Sequence, residues 1–211
     1  MARIDGDNLV LHNDIVSGNC YKIRLTAALV GVAITIVNYD IRCGETRTPD
    51  FLATVNSDGR IPVLQIGDRL LPESNAACHW LAADSALVPT DRFDHADMLR
   101  WMFFEQNSHE PNVATVRFWL AYLGRDNLGA AQLAQVDSKI VAGEAALSIM
   151  DRHLATRDWF TADRPTLADV ALFAYTHVAE EGGAFSLGNY PSIQNWIGRV
   201  RALPRFVAMS E

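Results

Sequence analysis

Ser17-Gly18-Asn19-Cys20 has the spacing of a redox Cys-x-x-Cys pair with the first, exposed cysteine replaced by serine. The stretch lies between a short apolar run, "NLVLHN" at 8–13, and a helical pattern that starts at Cys20. A helix N-terminus carries partial positive charge and free N–H groups, so it stabilises a nearby thiolate. No dithiol remains here, yet an external thiol resting against the Ser17 hydroxyl would still meet that environment. The competing reading is plain: Ser17 or Asn19 caps a helix. The stretch by itself leaves both open.

Two further places carry chemistry in the same part of the chain. Ile61-Pro62 opens a strand, where proline's missing donor does no harm. X-Pro bonds are cis in only ~5–6% of folded cases, so the pair does not by itself call for a cis bond. Glu73-Ser74 begins a helix. Ser74 is either its N-cap or, with its backbone N–H, an anion site for a ligand carboxylate; Glu73 suits a ligand ammonium group.

Other chemistries find no support. The six histidines (His12, His79, His95, His109, His153, His177) show no metal-ligand spacing, and no metal is expected. "EEGGAF" at 180–185 lacks the strand and lysine of a phosphate loop. In "FFEQNSHEP" at 103–111, Glu105, His109 and Glu110 stand at helical spacing, read as a partly exposed face of a helix ended by Pro111. A net charge of −7 with no basic run argues against nucleic acid. The longest uncharged apolar run, 25–37, is interrupted by Gly31 and falls short of the roughly 20 residues of a membrane span. Three widely spaced cysteines fit a reducing compartment. With no visible targeting segment, these features predict a soluble cytoplasmic protein.

The elements that must position these residues alternate strand and helix up to residue 84. "AITIVNY" at 33–39 reads as a buried strand, Gly31 as the C-cap before it, and "TPDFLATV" at 48–55 as a helix with Thr48 capping and Pro49 first. "IPVLQIGDRLL" at 61–71 reads as two strands joined at Gly67-Asp68, and 73–83 as the next helix. The order is β-α-β-α-β-β-α. Residues 85–92 read as a linker, and 93–211 as all-helical. The clearest helix spans 130–156, with a stripe of Leu133, Val136, Ile140, Gly143, Leu147, Met150 and Leu154. "TLAD" at 166–169 is a capping-box variant, and prolines bound a last helix at 191–204.

Taken together, these residues make the chain resemble the soluble glutathione transferases over nearly its whole length, bacterial members above all. The resemblance rests on Ser17 before the first helix, "GETRTPDFLATVNSDGRIPVL" at 44–64, "LPESNAACHWLA" at 71–82, "TLADVALF" at 166–173 and "YPSIQNWIGRVRALPRF" at 190–206. It implies a thioredoxin-like α/β N-terminal domain, an all-α helical-bundle C-terminal domain and a homodimer. It also implies roles: Ser17, shared with Asn19, activates the thiol of glutathione, the co-substrate. Ile61, beside a cis Pro62, pairs through its backbone with the cysteinyl part; Glu73 and Ser74 hold the γ-glutamyl end; Arg60 suits the glycyl carboxylate. Cys20 matches a residue that is usually structural, although its place in the first turn would favour reactivity. The implied reaction is conjugation of glutathione to small apolar electrophiles, with disulfide reduction, peroxide reduction or a non-catalytic binding role as rivals. An electrophile pocket is expected between the domains, lined by Val16, Trp101, Phe104, Asn107, Ser108, Phe118 and Trp119. For any one of these aromatic residues, bundle core is the simpler reading.

Overall fold

A computed structural model describes residues 8–211. They divide into two compact units: one runs to Val88 and takes in Leu203–Glu211, and the other is Pro89–Ala202. The break falls within the expected linker. The last nine residues depart from expectation, because they belong with the N-terminal unit and not with the helical one.

In the first unit the order is β1 (Leu9–Asn13), α1 (Gly18–Val30), β2 (Thr35–Asn38), α2 (Pro49–Thr54), β3 (Val63–Ile66), β4 (Arg69–Pro72) and α3 (Ser74–Ala82). The four strands form a mixed sheet in the order β2-β1-β3-β4, with β1 parallel to β2 and antiparallel to β3. The β3–β4 hairpin pairs Ile66 with Arg69 around Gly67-Asp68, and Gly67 supplies the left-handed φ of 57° that the turn requires. The expectation of a buried second strand is corrected. β2 is an edge strand, and its Ile36 and Val37 remain 40% and 38% exposed. Its β-branched residues set its conformation, whereas its position in the sheet sets its burial.

Helix α1 is buried almost all round, from Cys20 to Ala27, and packs on α3 and β1. Gly31 ends it in the left-handed conformation, with φ 74°. Thr48 caps α2 by accepting from Phe51 N–H at 3.3 Å, and Pro49 takes the first helical position. Leu11, Ile23, Leu25, Leu64 and Ala77, all fully buried, form the centre of this unit.

The second unit is all helix: α4 (Arg92–Phe104), α5 (Glu110–Arg117), α6 (Ala130–Leu154), α7 (Leu167–Thr176) and α8 (Pro191–Arg201). Pro111 does not end a helix, contrary to expectation. A π-turn over Glu105–His109 carries the chain from α4 into α5, with Glu110 N–H donating to Glu105 O. The wider turn spares the carbonyl that a proline ring would strike in a regular helix. Glu105 and His109 are fully buried, contrary to the partly exposed face expected for them, while Glu110 is half-buried. His109 Nε2 lies 2.9 Å from Thr176 Oγ1, whose hydroxyl donates to Leu172 O. On α6 the stripe is buried at Val136, Gly143, Leu147, Met150 and Leu154, while Leu133 is exposed. Gly143 fits the stripe because a Cβ there would lie 2.6 Å from Phe185 Cζ. The box before α7 forms as read: Asp169 Oδ2 accepts from Thr166 N–H at 2.9 Å, and Oδ1 accepts from Trp196 Nε1 at 3.0 Å.

Candidate active site

Loop 14–17 leads from β1 to α1 and is held by its own polar groups. Asp14 Oδ1 accepts from Val16 N–H at 2.9 Å, Asp14 Oδ2 from Ile41 N–H at 3.2 Å, and Asp14 O from Ser17 N–H at 3.1 Å. Ser17 is the N-cap of α1, with an extended backbone, and its Oγ accepts from Cys20 N–H at 3.3 Å. That bond uses a lone pair; the hydroxyl proton has the Cys20 sulfur as its neighbour inside the chain and can turn to an incoming thiolate, a stronger acceptor. Capping the helix and donating to a thiolate are therefore compatible at one oxygen, so the two readings of Ser17 do not compete.

Cys20 cannot be the thiol in question. It is fully buried, its Sγ accepts from Asp14 N–H at 3.3 Å, and burial pushes its thiol up to about 11. The reactivity that its first-turn position would favour is outweighed by desolvation. Any thiolate stabilised at this helix end must come from outside the chain.

Asn19, half-buried in the first turn of α1, accepts from Ser74 Oγ at 3.2 Å through its Oδ1. Ser74 is buried at the first position of α3 and is not its cap. The cap position belongs to Glu73, which is exposed and has φ 71° and ψ 110°. A glutamate at positive φ costs on the order of 1–3 kcal/mol, and such residues gather at ligand clamps. The Asn19–Ser74 bond thus brings the starts of two helices together, with Ser17 at one and Glu73 at the other. Ile61 is half-buried and in a cis bond to the buried Pro62, which immediately precedes β3. The Arg60 side chain is exposed, and its carbonyl accepts from Asn56 Nδ2 at 2.9 Å. Among the described residues, no group of three His, Cys, Asp or Glu side chains is placed to hold a metal ion.

The residues expected to line an electrophile pocket fall into different settings. Val16 lies half-buried in loop 14–17. Trp101 is 2% exposed and packs within the helical unit against Phe104, His153 and Phe160, with ring centroids 5.2, 4.6 and 4.7 Å away. It is a core residue. Phe104 and Ser108 are half-buried, and Asn107 is exposed with its amide donating to Phe103 O. Phe118 and Trp119 sit half-buried on a second π-turn, Phe118–Leu123.

Sequence reasoning missed Tyr21, Arg24 and the closing segment 203–211. Tyr21 Oη donates to Val207 O at 2.8 Å, and Arg24 Nη2 donates to Met209 O at 2.9 Å. Tyr21, Lys22 and Arg24 in a helix buried almost all round were the available signal.

A four-stranded mixed sheet with a cis-proline before β3 and two helix N-termini bonded to each other, followed by an all-helical unit, defines a thioredoxin-like domain joined to a helical one. Matches to known proteins give the family. The glutathione S-transferase N-terminal domain model matches residues 16–84, and the C-terminal domain model matches 114–204. A possible glutathione S-transferase from Rhodopseudomonas palustris is similar in structure, with a TM-score of 0.90 and 42% identity over 96% of this chain and 90% of that one. Glutathione S-transferase 3 of Zea mays is 30% identical over 205 residues, which are 94% of this chain and 91% of its own length. Elongation factor 1-gamma 2 of Oryza sativa is 28% identical over 169 residues, 78% of this chain but 38% of that protein. The chain belongs to the glutathione S-transferase family.

Proposed function

We propose that this protein binds glutathione and transfers its thiolate to small apolar electrophiles. The observation that carries the reading is the start of α1. Ser17 caps the helix with an oxygen whose proton a bound thiolate, a better acceptor than the neighbouring Cys20 thiol, would draw, and that buried thiol is held protonated. Asn19 shares the role through its place beside Ser17 and its bond to Ser74. Glu73 and Ser74 would take the γ-glutamyl end, the Ile61 backbone the cysteinyl part, and Arg60 the glycyl carboxylate.

In this scheme the bound thiol gives its proton to solvent. The Ser17 O–H and the helix N-terminus then stabilise the sulfur anion. The sulfur attacks the electrophilic carbon, a C–S bond forms, and the leaving group departs with its electron pair. No covalent enzyme intermediate arises. A thiol of pKa ~8.5 is only a few per cent ionised at pH 7, so lowering it by two units would make most of it thiolate. The same reading takes the protein as a cytoplasmic homodimer.

The test is a pH titration of thiolate absorbance for glutathione bound to the purified protein, with free glutathione as reference. A bound thiol ionising well below the free one supports activation, whereas binding with no shift refutes it. The match to elongation factor 1-gamma 2, of which this chain spans 38%, favours a second reading, a non-catalytic glutathione-binding module. Saturable binding without turnover of chlorodinitrobenzene, hydroxyethyl disulfide or cumene hydroperoxide would select it. Turnover of the latter two alone would select the reductase and peroxidase reading.

A further inference from the structure

Residues 203–211 leave α8 and join the N-terminal unit, where their backbone is tied to α1. Tyr21 Oη donates to Val207 O at 2.8 Å, and the Arg205 guanidinium lies against Gly31 at the end of α1. Arg205 itself has a left-handed φ of 64°. The most telling contact is Arg24. Its Nη2 donates to Met209 O at 2.9 Å and also to Ile15 O at 3.2 Å. One nitrogen therefore joins the closing segment to the loop that ends in Ser17.

Arg24 is 5% exposed; its Nε and Nη1 make no hydrogen bond, and its guanidinium lies over the Tyr21 ring, 5.4 Å from the centroid. A guanidinium buried among carbonyls with two nitrogens unsatisfied gains little stability; an apolar side chain of similar volume generally serves a core as well or better. Beyond its contact with the Tyr21 ring, what Arg24 supplies that a methionine would not is the bridge. Asp14 fixes Val16 and Ser17 through their N–H groups, and the Ile15 carbonyl accepts from Arg24. Between them, Asp14, through its carboxylate and its backbone carbonyl, and Arg24 hold three successive residues of the loop.

We propose that Arg24 is a positioning residue and that segment 203–211 is a strap which, through Arg24, sets where the Ser17 hydroxyl points. The inference rests on the reading of Ser17 as the thiol-activating group. Displacement of a reacting group by about 1 Å can cost as much as 100-fold in rate, so a modest release of the loop is measurable.

The experiment compares the wild-type protein with Arg24→Met, Arg24→Lys, Tyr21→Phe, Ser17→Ala and the Ser17→Ala/Arg24→Met pair. For each, kcat and KM with chlorodinitrobenzene, the pKa of bound glutathione and amide exchange at Ser17 are measured. Arg24→Met and Tyr21→Phe should each lower kcat about tenfold with KM for the electrophile little changed. Both should raise the bound-thiol pKa and speed exchange at Ser17 while the melting curve stays cooperative. Arg24→Lys, whose ammonium can still donate to both carbonyls, should recover most of the loss. The pair should be no worse than Ser17→Ala alone, since Arg24 acts through Ser17. Losses that multiply, or a folded Arg24→Met with wild-type kcat and thiol pKa, overturn the strap. If Arg24→Met does not fold, Tyr21→Phe and Arg24→Lys carry the comparison. Should Ser17→Ala leave the thiol pKa unmoved, the thiol-site reading falls and the strap with it. A raised pKa in Ser17→Ala, unmatched in the Arg24 and Tyr21 variants, removes the strap alone.

Discussion

At Ser17 the oxygen accepts from Cys20 N–H and keeps a proton, so substitution separates two effects. Ser17→Ala removes the cap, at about 1 kcal/mol of stability, and removes the donor to the thiolate. We expect kcat to fall more than glutathione affinity; an affinity loss without a kcat loss would contradict the donor role. Ser17→Thr, which retains a hydroxyl, should recover activity. The other thiols offer an independent check on the assignment. Cys20 and Cys78 are buried, while Cys43 is exposed and its thiol is pushed up by a hydrogen bond and the charge of Asp40. Alkylation of the folded protein should therefore modify Cys43 alone, and Asp40→Asn should accelerate it. Modification of Cys20 at a comparable rate would mean that the first turn opens. Much of this was legible beforehand, because Ser17, Asn19, Glu73 and Ser74 stand at places where a helix begins, and helix starts leave sequence signals. The bridge made by Arg24 was not legible. Its partner Met209 is 185 residues away, and no local pattern encodes that distance.

At the scale of elements, prolines and caps announced most boundaries, and the exceptions share a cause. Pro111 marks a helix end only if the helix is regular; the π-turn at Glu105–His109 removes the conflict and leaves no sequence mark. β2 read as buried because β-branched content reports strand conformation, while exposure follows from its edge position. Helix α7 was anticipated from its capping box, and its two ends titrate in opposition. Burial raises Asp169 from the ordinary 3.8 to about 6, outweighing its hydrogen bonds from Thr166, Trp196 and Phe160. Its contribution to stability is therefore full below about pH 4 and is lost as pH rises through 6. Burial lowers His177, stacked on Phe173 at 4.4 Å, from 6.5 to about 4. That contribution is full above about pH 6.5 and is lost as pH falls towards 4. Each is worth roughly 3 kcal/mol, so the two slopes nearly cancel in the wild-type protein. Urea unfolding between pH 4 and 6.5 tests this. Relative to wild type, His177→Gln should gain stability as pH falls and Asp169→Asn should lose it. Variants whose stability merely parallels wild type across the window would refute the opposition.

At the scale of the whole molecule, the alternation of strands and helices up to residue 84 and its absence afterwards foretold two units. The return of 203–211 to the first unit could not be read, because nothing distinguishes a closing strap from a frayed end in sequence. The proposed dimer has its own physical argument. Phe93 and Phe103 stand near opposite ends of α4, about 15 Å apart along the helix, and are 77% and 63% exposed. Leu70 on β4 is 41% exposed in the other unit. Large aromatic side chains left in water forgo about 1.5–3 kcal/mol each relative to burial, and they recur as anchors of protein interfaces. Sedimentation equilibrium should return twice the 23.3 kDa chain mass for the wild-type protein. Phe103→Glu places a carboxylate where the partner chain would desolvate it and should shift the mass towards a single chain, while the circular dichroism stays unchanged. Wild-type protein that sediments as one chain at micromolar concentration would sink the dimer. A Phe103→Glu dimer as tight as wild type would move the interface away from this end of α4, leaving Phe93 and Leu70 as the next positions to charge.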